Sequence, residues 1–103
     1  MNTSRFEYGS VLATRVRVSD DSLTVELSDG RTIIAPLVWF PRLLHGTPDE
    51  RNKFEFNGDG TGIHWPDLDE DISVEGLLLG GPSRENARSF QRWLDQRKLK
   101  AAS

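Results

Sequence analysis

The sequence predicts an α+β domain: an antiparallel sheet of about five hairpin-connected strands, short helices in the middle and a C-terminal amphipathic helix. Three observations carry this expectation. Apolar and polar residues alternate through Val16 and Val18, and again through Leu23, Val25 and Leu27. Asp29-Gly30 marks a tight reversal before a further apolar run. Phe90, Trp93 and Leu94 recur with Ala87 at helical spacing near the end of the chain.

Taken in order, residues 1–10 show no period and are expected to form a loose or edge segment. Arg15 and Arg17 should then face out while Val16 and Val18 face in. Ser19-Asp20-Asp21-Ser22 is a turn cluster. After Leu27 the loop length decides which side chains are buried, because a one-residue slip exchanges the two faces. A three-residue loop over 28–30 aligns Leu27 with Arg31, Ile33, Ala35 and Leu37, a better apolar set than Thr32, Ile34 and Pro36. Gly30 would then take the positive φ that such a bulged loop needs.

Pro36 should end the strand. Residues 38–46 read as a short helix, with Pro41 in its first turn and Gly46 past its end. Thr47-Pro48-Asp49-Glu50 is a capping box that opens another short helix, ending near Lys53. Residues 54–57 and 63–65 read as strands joined by the glycine-rich turn Gly58-x-Gly60-x-Gly62. Ser73 can cap a helix running to Leu79, which Gly80-Gly81-Pro82 breaks. The last helix is expected over residues 83–98, with Arg84, Arg88 and Arg92 every fourth residue along one face.

At 103 residues the chain is expected to be one domain, 1–103. It has no cysteine, which removes disulfides and thiolate metal sites. It shows neither a membrane-length apolar run nor a signal-peptide core, so a cytoplasmic location without membrane contact is expected. The net charge of −3 is unevenly spread. Residues 54–83 hold seven acids and no Lys or Arg, whereas residues 84–103 hold six bases and two acids. Such blocks are expected to lie against each other.

Two stretches resemble a known bacterial family. One runs Leu23-x-Val25-x-Leu27-x-Asp29-Gly30-Arg31, then Pro36-Leu37-x-Trp39-Phe40-Pro41-Arg42-Leu43. The other is Gly62-Ile63-His64-Trp65-Pro66-x-Leu68-Asp69-Glu70-Asp71-Ile72-Ser73-Val74-Glu75-Gly76-Leu77-Leu78. Together they are similar to the domain of unknown function 2442, over about residues 12–80, with the last helix resembling an extension found in some members. The resemblance implies a small prokaryotic protein whose gene lies beside that of another small protein, an arrangement like a toxin–antitoxin pair. It supplies no catalytic residues.

The acidic loop is the main chemical candidate. Asp67, Asp69 and Asp71 have calcium-loop spacing, but Ile72 and Leu78 stand where the glycine and glutamate are needed. His64 with Asp67, Asp69 and Asp71 could ligate zinc or manganese in a metal-dependent hydrolase. The simpler reading has Asp69 or Asp71 capping the next helix and His64 bonded to a nearby carboxylate. His45, near a helix C-terminus, complements the dipole there. The arginine row could bind nucleic acid, or pair with the acidic block. Trp39 and Phe40 are adjacent, so one of them should be free for contact.

These features predict a protein-binding module that is not an enzyme and needs no cofactor or metal. It would be the antitoxin-like or regulatory member of a two-gene pair. The partner is expected to be another small protein, with a homodimer through a free strand edge and nucleic acid as alternatives. The expected recognition surface comprises Trp39, Phe40, Arg42, His64, Asp67, Asp69, Glu70, Asp71, Arg84, Arg88 and Arg92.

Overall fold

The structure, a computed structural model, describes residues 11–102; the segment expected to be loose at 1–10 lies outside them. Among the described residues six strands form two antiparallel three-stranded sheets, in place of the single sheet of about five. The first contains β1 (Ala13–Val18), β2 (Ser22–Leu27) and β3 (Thr32–Pro36), in that order. A 3-10 turn (Leu37–Trp39), α1 (Pro41–Leu44) and α2 (Pro48–Asn52) lead to the second sheet. That sheet contains β4 (Glu55–Asn57), β5 (Gly62–Trp65) and β6 (Glu70–Ser73), again in order. α3 (Val74–Leu79) follows β6 directly, and α4 spans Ala87–Ala102.

The expected register of the second hairpin is present. Leu23 pairs with Ala35 and Val25 with Ile33, and the Leu27 N–H donates to the Arg31 carbonyl at 2.8 Å. Gly30 takes φ 95° in the three-residue loop. In β1 the alternation is broken by a bulge between Ala13 and Arg15. The extra residue lets Ala13 and Val16 both face the core although three positions separate them.

Thr47 and Glu50 form the capping box at α2, and Ser73 caps α3 through the Gly76 N–H at 2.9 Å. Asp69 and Asp71 cap nothing. Asp69 sits at positive φ in the β5–β6 turn, and Asp71 is a strand residue. The last helix begins at Ala87, four positions later than expected. Arg84 therefore lies off the helix, and Ala87 is exposed.

One hydrophobic cluster draws on both sheets, from Leu23, Val25 and Leu37 to Ile63, Trp65, Leu68 and Ile72. The sheets are also tied by main chain: the Ala13 N–H donates to the Gly60 carbonyl at 2.7 Å. Trp93 of α4 is buried in the same cluster, with Phe90 and Leu94 packed against it.

Candidate functional site

The β5–β6 hairpin sets the geometry of the acidic segment. Ile63 pairs with Ile72, His64 with Asp71 and Trp65 with Glu70. Directly paired residues share a face, so Glu70 lies on the face of Trp65 and Ile72, both buried. His64 and Asp71 share the opposite face and meet there, Nδ1 to Oδ1, at 2.9 Å. The Asn57 amide also donates to that Asp71 oxygen, at 3.3 Å.

Glu70 was expected to point outward with the other acids. It is instead half-buried, and burial pushes its carboxyl up to about 7, against the opposing pull of the Asp71 N–H and the Arg42 guanidinium. Its Oε1 accepts from the Asp71 backbone N–H at 3.1 Å.

A groove of about 560 Å³ opens beside it, within the range of ligand pockets. β6 contributes Glu70, Asp71, Ile72 and Ser73; α3 contributes Gly76, Leu77 and Leu79; residues 80–84 line it as well. Phe40 also reaches it. Behind the groove, Arg42 Nε donates to both oxygens of Glu85, at 2.9 and 3.0 Å. Its Nη1 reaches the Asp69 carbonyl at 3.0 Å. Glu85 holds Arg42 fully charged, and Arg42 in turn draws the Glu85 carboxyl below its ordinary range.

Of the expected recognition residues, Phe40, Glu70, Asp71 and Arg84 line this groove, and Arg42 braces it. Phe40 is buried, and Trp39 is half-buried and packs against the core cluster. The four-residue metal candidate is not assembled. Asp67 turns to Lys53 at 3.5 Å and Asp69 to Arg42 at 3.5 Å, leaving His64 with Asp71 alone. Among the described residues no three His, Cys, Asp or Glu side chains converge as a metal set.

Arg84, Arg88 and Arg92 are exposed, and among the described residues none of them forms an ion pair. The acidic block is met from upstream, by Lys53 at Asp67 and Arg42 at Asp69. α4 is held instead by Arg97, whose Nη1 and Nη2 bond Glu50 at 2.9 and 2.8 Å. Arg42 and Arg97 both lie over the Trp93 ring, at 5.4 and 4.7 Å from its centroid. Phe90 stacks on Trp93 and tilts against His45.

Sequence reasoning missed the free edge of β6 and the buried Arg51. β6 carries one apolar residue among two acids and a serine, so its strand character comes from pairing with β5. No local signal marks Arg51, because its partners, Asp20, Leu43 and Leu44, lie far from it in sequence or are backbone atoms.

The model of a family described as "Protein of unknown function (DUF2442)" matches residues 13–83. A crystal structure of a protein of unknown function from Rhodospirillum rubrum ATCC 11170 is similar, with 28% identity and a TM-score of 0.62. The match covers 73% of this chain and 93% of that one. No curated protein matches the chain. No helix among the described residues is long and apolar enough to cross a membrane. The family match ends at Ser83, before α4 begins.

Proposed function

The chain belongs to the family of proteins of unknown function DUF2442, and from that premise we propose that it is a protein-binding module that docks its partner in the groove beside β6. The observation that carries this reading is the makeup of that groove. Apolar Ile72, Leu77, Leu79 and Pro82 stand next to Glu70, Asp71 and Arg84, the mixture that buries a partner's side chains and orients them. The role is recognition rather than catalysis. Asp69 pairs with Arg42 and Asp71 with His64, and the groove's hydroxyls, Ser73 and Ser83, accept from the backbone N–H groups of Gly76 and Glu85. The proposed partner is another small cytoplasmic protein encoded by the adjacent gene, in a regulatory pair of the antitoxin type. The family resemblance of the two signature stretches supports that choice.

The test is selection from a displayed library of random decapeptides. Leu79→Asp, at a position 68% exposed and so harmless to the core, serves as counter-target. Enrichment on the wild type that is lost on Leu79→Asp supports the groove. Equal enrichment on both proteins, or none, overturns it.

A second reading rests on a separate observation. Arg84, Arg88 and Arg92 are exposed without acidic partners among the described residues, which leaves them free to meet phosphates. If they bind nucleic acid, affinity for a DNA duplex falls with salt, and the triple alanine variant flattens that dependence. Absence of binding at low salt removes this reading.

A further inference from the structure

We propose that β6 accepts an added β-strand: an extended segment of the partner protein, carrying lysine or arginine side chains against Glu70 on one face and Asp71 on the other. The inference rests on the groove reading above and specifies what enters the groove.

Among the described residues β6 is the edge of its sheet, with β5 on one side only. Which of its backbone groups face outward follows from the register. The Val74 N–H donates to the Thr61 carbonyl at 2.9 Å, so Thr61 and Val74 form a hydrogen-bonded pair. Such pairs alternate along an antiparallel ladder. The next ones are therefore Ile63 with Ile72 and Trp65 with Glu70. Asp71 and Ser73 then turn their N–H and C=O groups away from β5, toward the groove that both residues line.

The Asp71 N–H shows this orientation directly, since it donates to the Glu70 side chain and not to β5. That carboxylate covers one edge donor in the way charged side chains blunt free edges. The Ser73 N–H and the Asp71 carbonyl remain on the same edge. An incoming strand would replace the Glu70 contact at Asp71 and pair with Ser73, while Ile72 and Leu77 receive its apolar side chains.

The chemistry of the occupant follows from charge. Residues 54–83, which supply β6 and α3, contain seven acids and no base. Glu70 and Asp71 stand at the edge itself. They lie on opposite faces of β6, so basic side chains at neighbouring positions of the added strand would meet one each. Arg84, the one base among the lining residues, is available to an acidic neighbour on the same segment.

The library-selected peptides supply the probe. We expect them to be free of proline at the pairing positions and to carry Lys or Arg. Their addition should slow hydrogen exchange at the Ser73 amide in the wild-type protein. Asp71→Pro removes an N–H that the β5 ladder does not use, a substitution that strand edges tolerate. It should weaken binding about tenfold relative to Asp71→Asn, the scale of one backbone hydrogen bond. Peptides that lose affinity for Leu79→Asp yet bind Asp71→Pro and Asp71→Asn alike, with Ser73 exchange unchanged, overturn strand addition and leave the groove reading intact. Failure to enrich any peptide over Leu79→Asp overturns both. The exchange measurement needs no variant, so it decides the question even where Asp71→Pro does not fold.

Discussion

The indole N–H of Trp65 donates to the backbone carbonyl of Arg51 at 3.0 Å. Trp65 is fully buried, so its polar edge needs this partner. The Arg51 side chain then turns the other way. Its Nε donates to the Leu43 carbonyl at 2.9 Å and its Nη2 to the Leu44 carbonyl at 2.8 Å. α1 is a single turn; the Leu43 carbonyl also accepts from the Gly46 N–H at 3.1 Å, whereas the residue four on from Leu44 is Pro48, which has no N–H to give. One residue thus fastens α2 to β5 and closes α1.

Arg51→Met should destabilise the protein by about 2–3 kcal/mol, because buried carbonyls lose charged donors. Arg51→Lys should recover little, since a single ammonium cannot reproduce the planar fork that reaches two carbonyls. Trp65→Phe should cost about 1–3 kcal/mol by leaving the Arg51 carbonyl unsatisfied. Urea denaturation measures all three. Wild-type stability in Arg51→Lys would mean that the fork is not what closes α1.

Two glycines separate backbone strain from crowding. Gly30 has φ 95° and nothing within 4 Å of the position its Cβ would take. Gly30→Ala should therefore cost only the left-handed penalty of about 1–2 kcal/mol. Gly60 has φ 121°, and a Cβ there would lie 2.6 Å from the Ala13 carbonyl oxygen and 3.2 Å from Leu12 Cβ. Gly60→Ala must push β1 off the second sheet and should lower Tm well beyond Gly30→Ala. Equal shifts would show that the contact between the sheets is soft.

The acid dependence of stability has two opposing parts. The Arg97 hydrogen bond, with further help from Thr47, draws Glu50 down from 4.5 to about 2. Its contribution is complete above pH 4.5 and is lost as pH falls toward 2. Glu70 runs the other way. Burial raises it from 4.5 to about 7, so the folded chain holds a proton that the unfolded chain releases. Stability should fall as pH rises from 4.5 to 7. Thermal unfolding across this range should show both slopes. Glu70→Gln should erase the upper slope and raise Tm above pH 7, and Glu50→Gln should erase the acid one. An unchanged upper slope in Glu70→Gln would place the titrating group elsewhere.

What could be read from the chain follows the range of the interactions involved. β1 to β3 and their register were legible because alternation and the Asp29-Gly30 loop are local signals. The capping box at Thr47 and the Ser73 cap were legible for the same reason. β6 was not, because Glu70-Asp71-Ile72-Ser73 becomes a strand only when β5 pairs with it. That pairing also turned Glu70 inward, which no charge count reveals. The spacing of the arginines suits a helix from Ser83, whereas α4 begins at Ala87 and docks through Arg42, Arg97 and Trp93. Those contacts join residues 47 to 51 positions apart, beyond any periodicity in the sequence.

The docking of α4 gives a last expectation. Trp93 is buried with the Arg42 and Arg97 guanidiniums over its ring. Glu85 and Glu50 fix those two arginines in turn. The helix lies beyond the 13–83 span shared with the family, and among the described residues Trp93 is the one buried residue it adds to the cluster that holds Leu23, Val25, Ile63 and Trp65. Trp93→Ala removes the central ring and should cost about 3–5 kcal/mol of docking energy, as large-to-small changes do at buried aromatics. The loss should be local. Amides of α4 should exchange quickly while those of β2 and β5 stay protected, and helical ellipticity should fall without loss of the sheet signal. Glu85→Gln should produce the same pattern more weakly, because Arg42 keeps its bonds to the carbonyls of Leu68 and Asp69. A uniform loss of protection across both sheets would instead make α4 an integral part of the core, and the span shared with the family would then not fold without it.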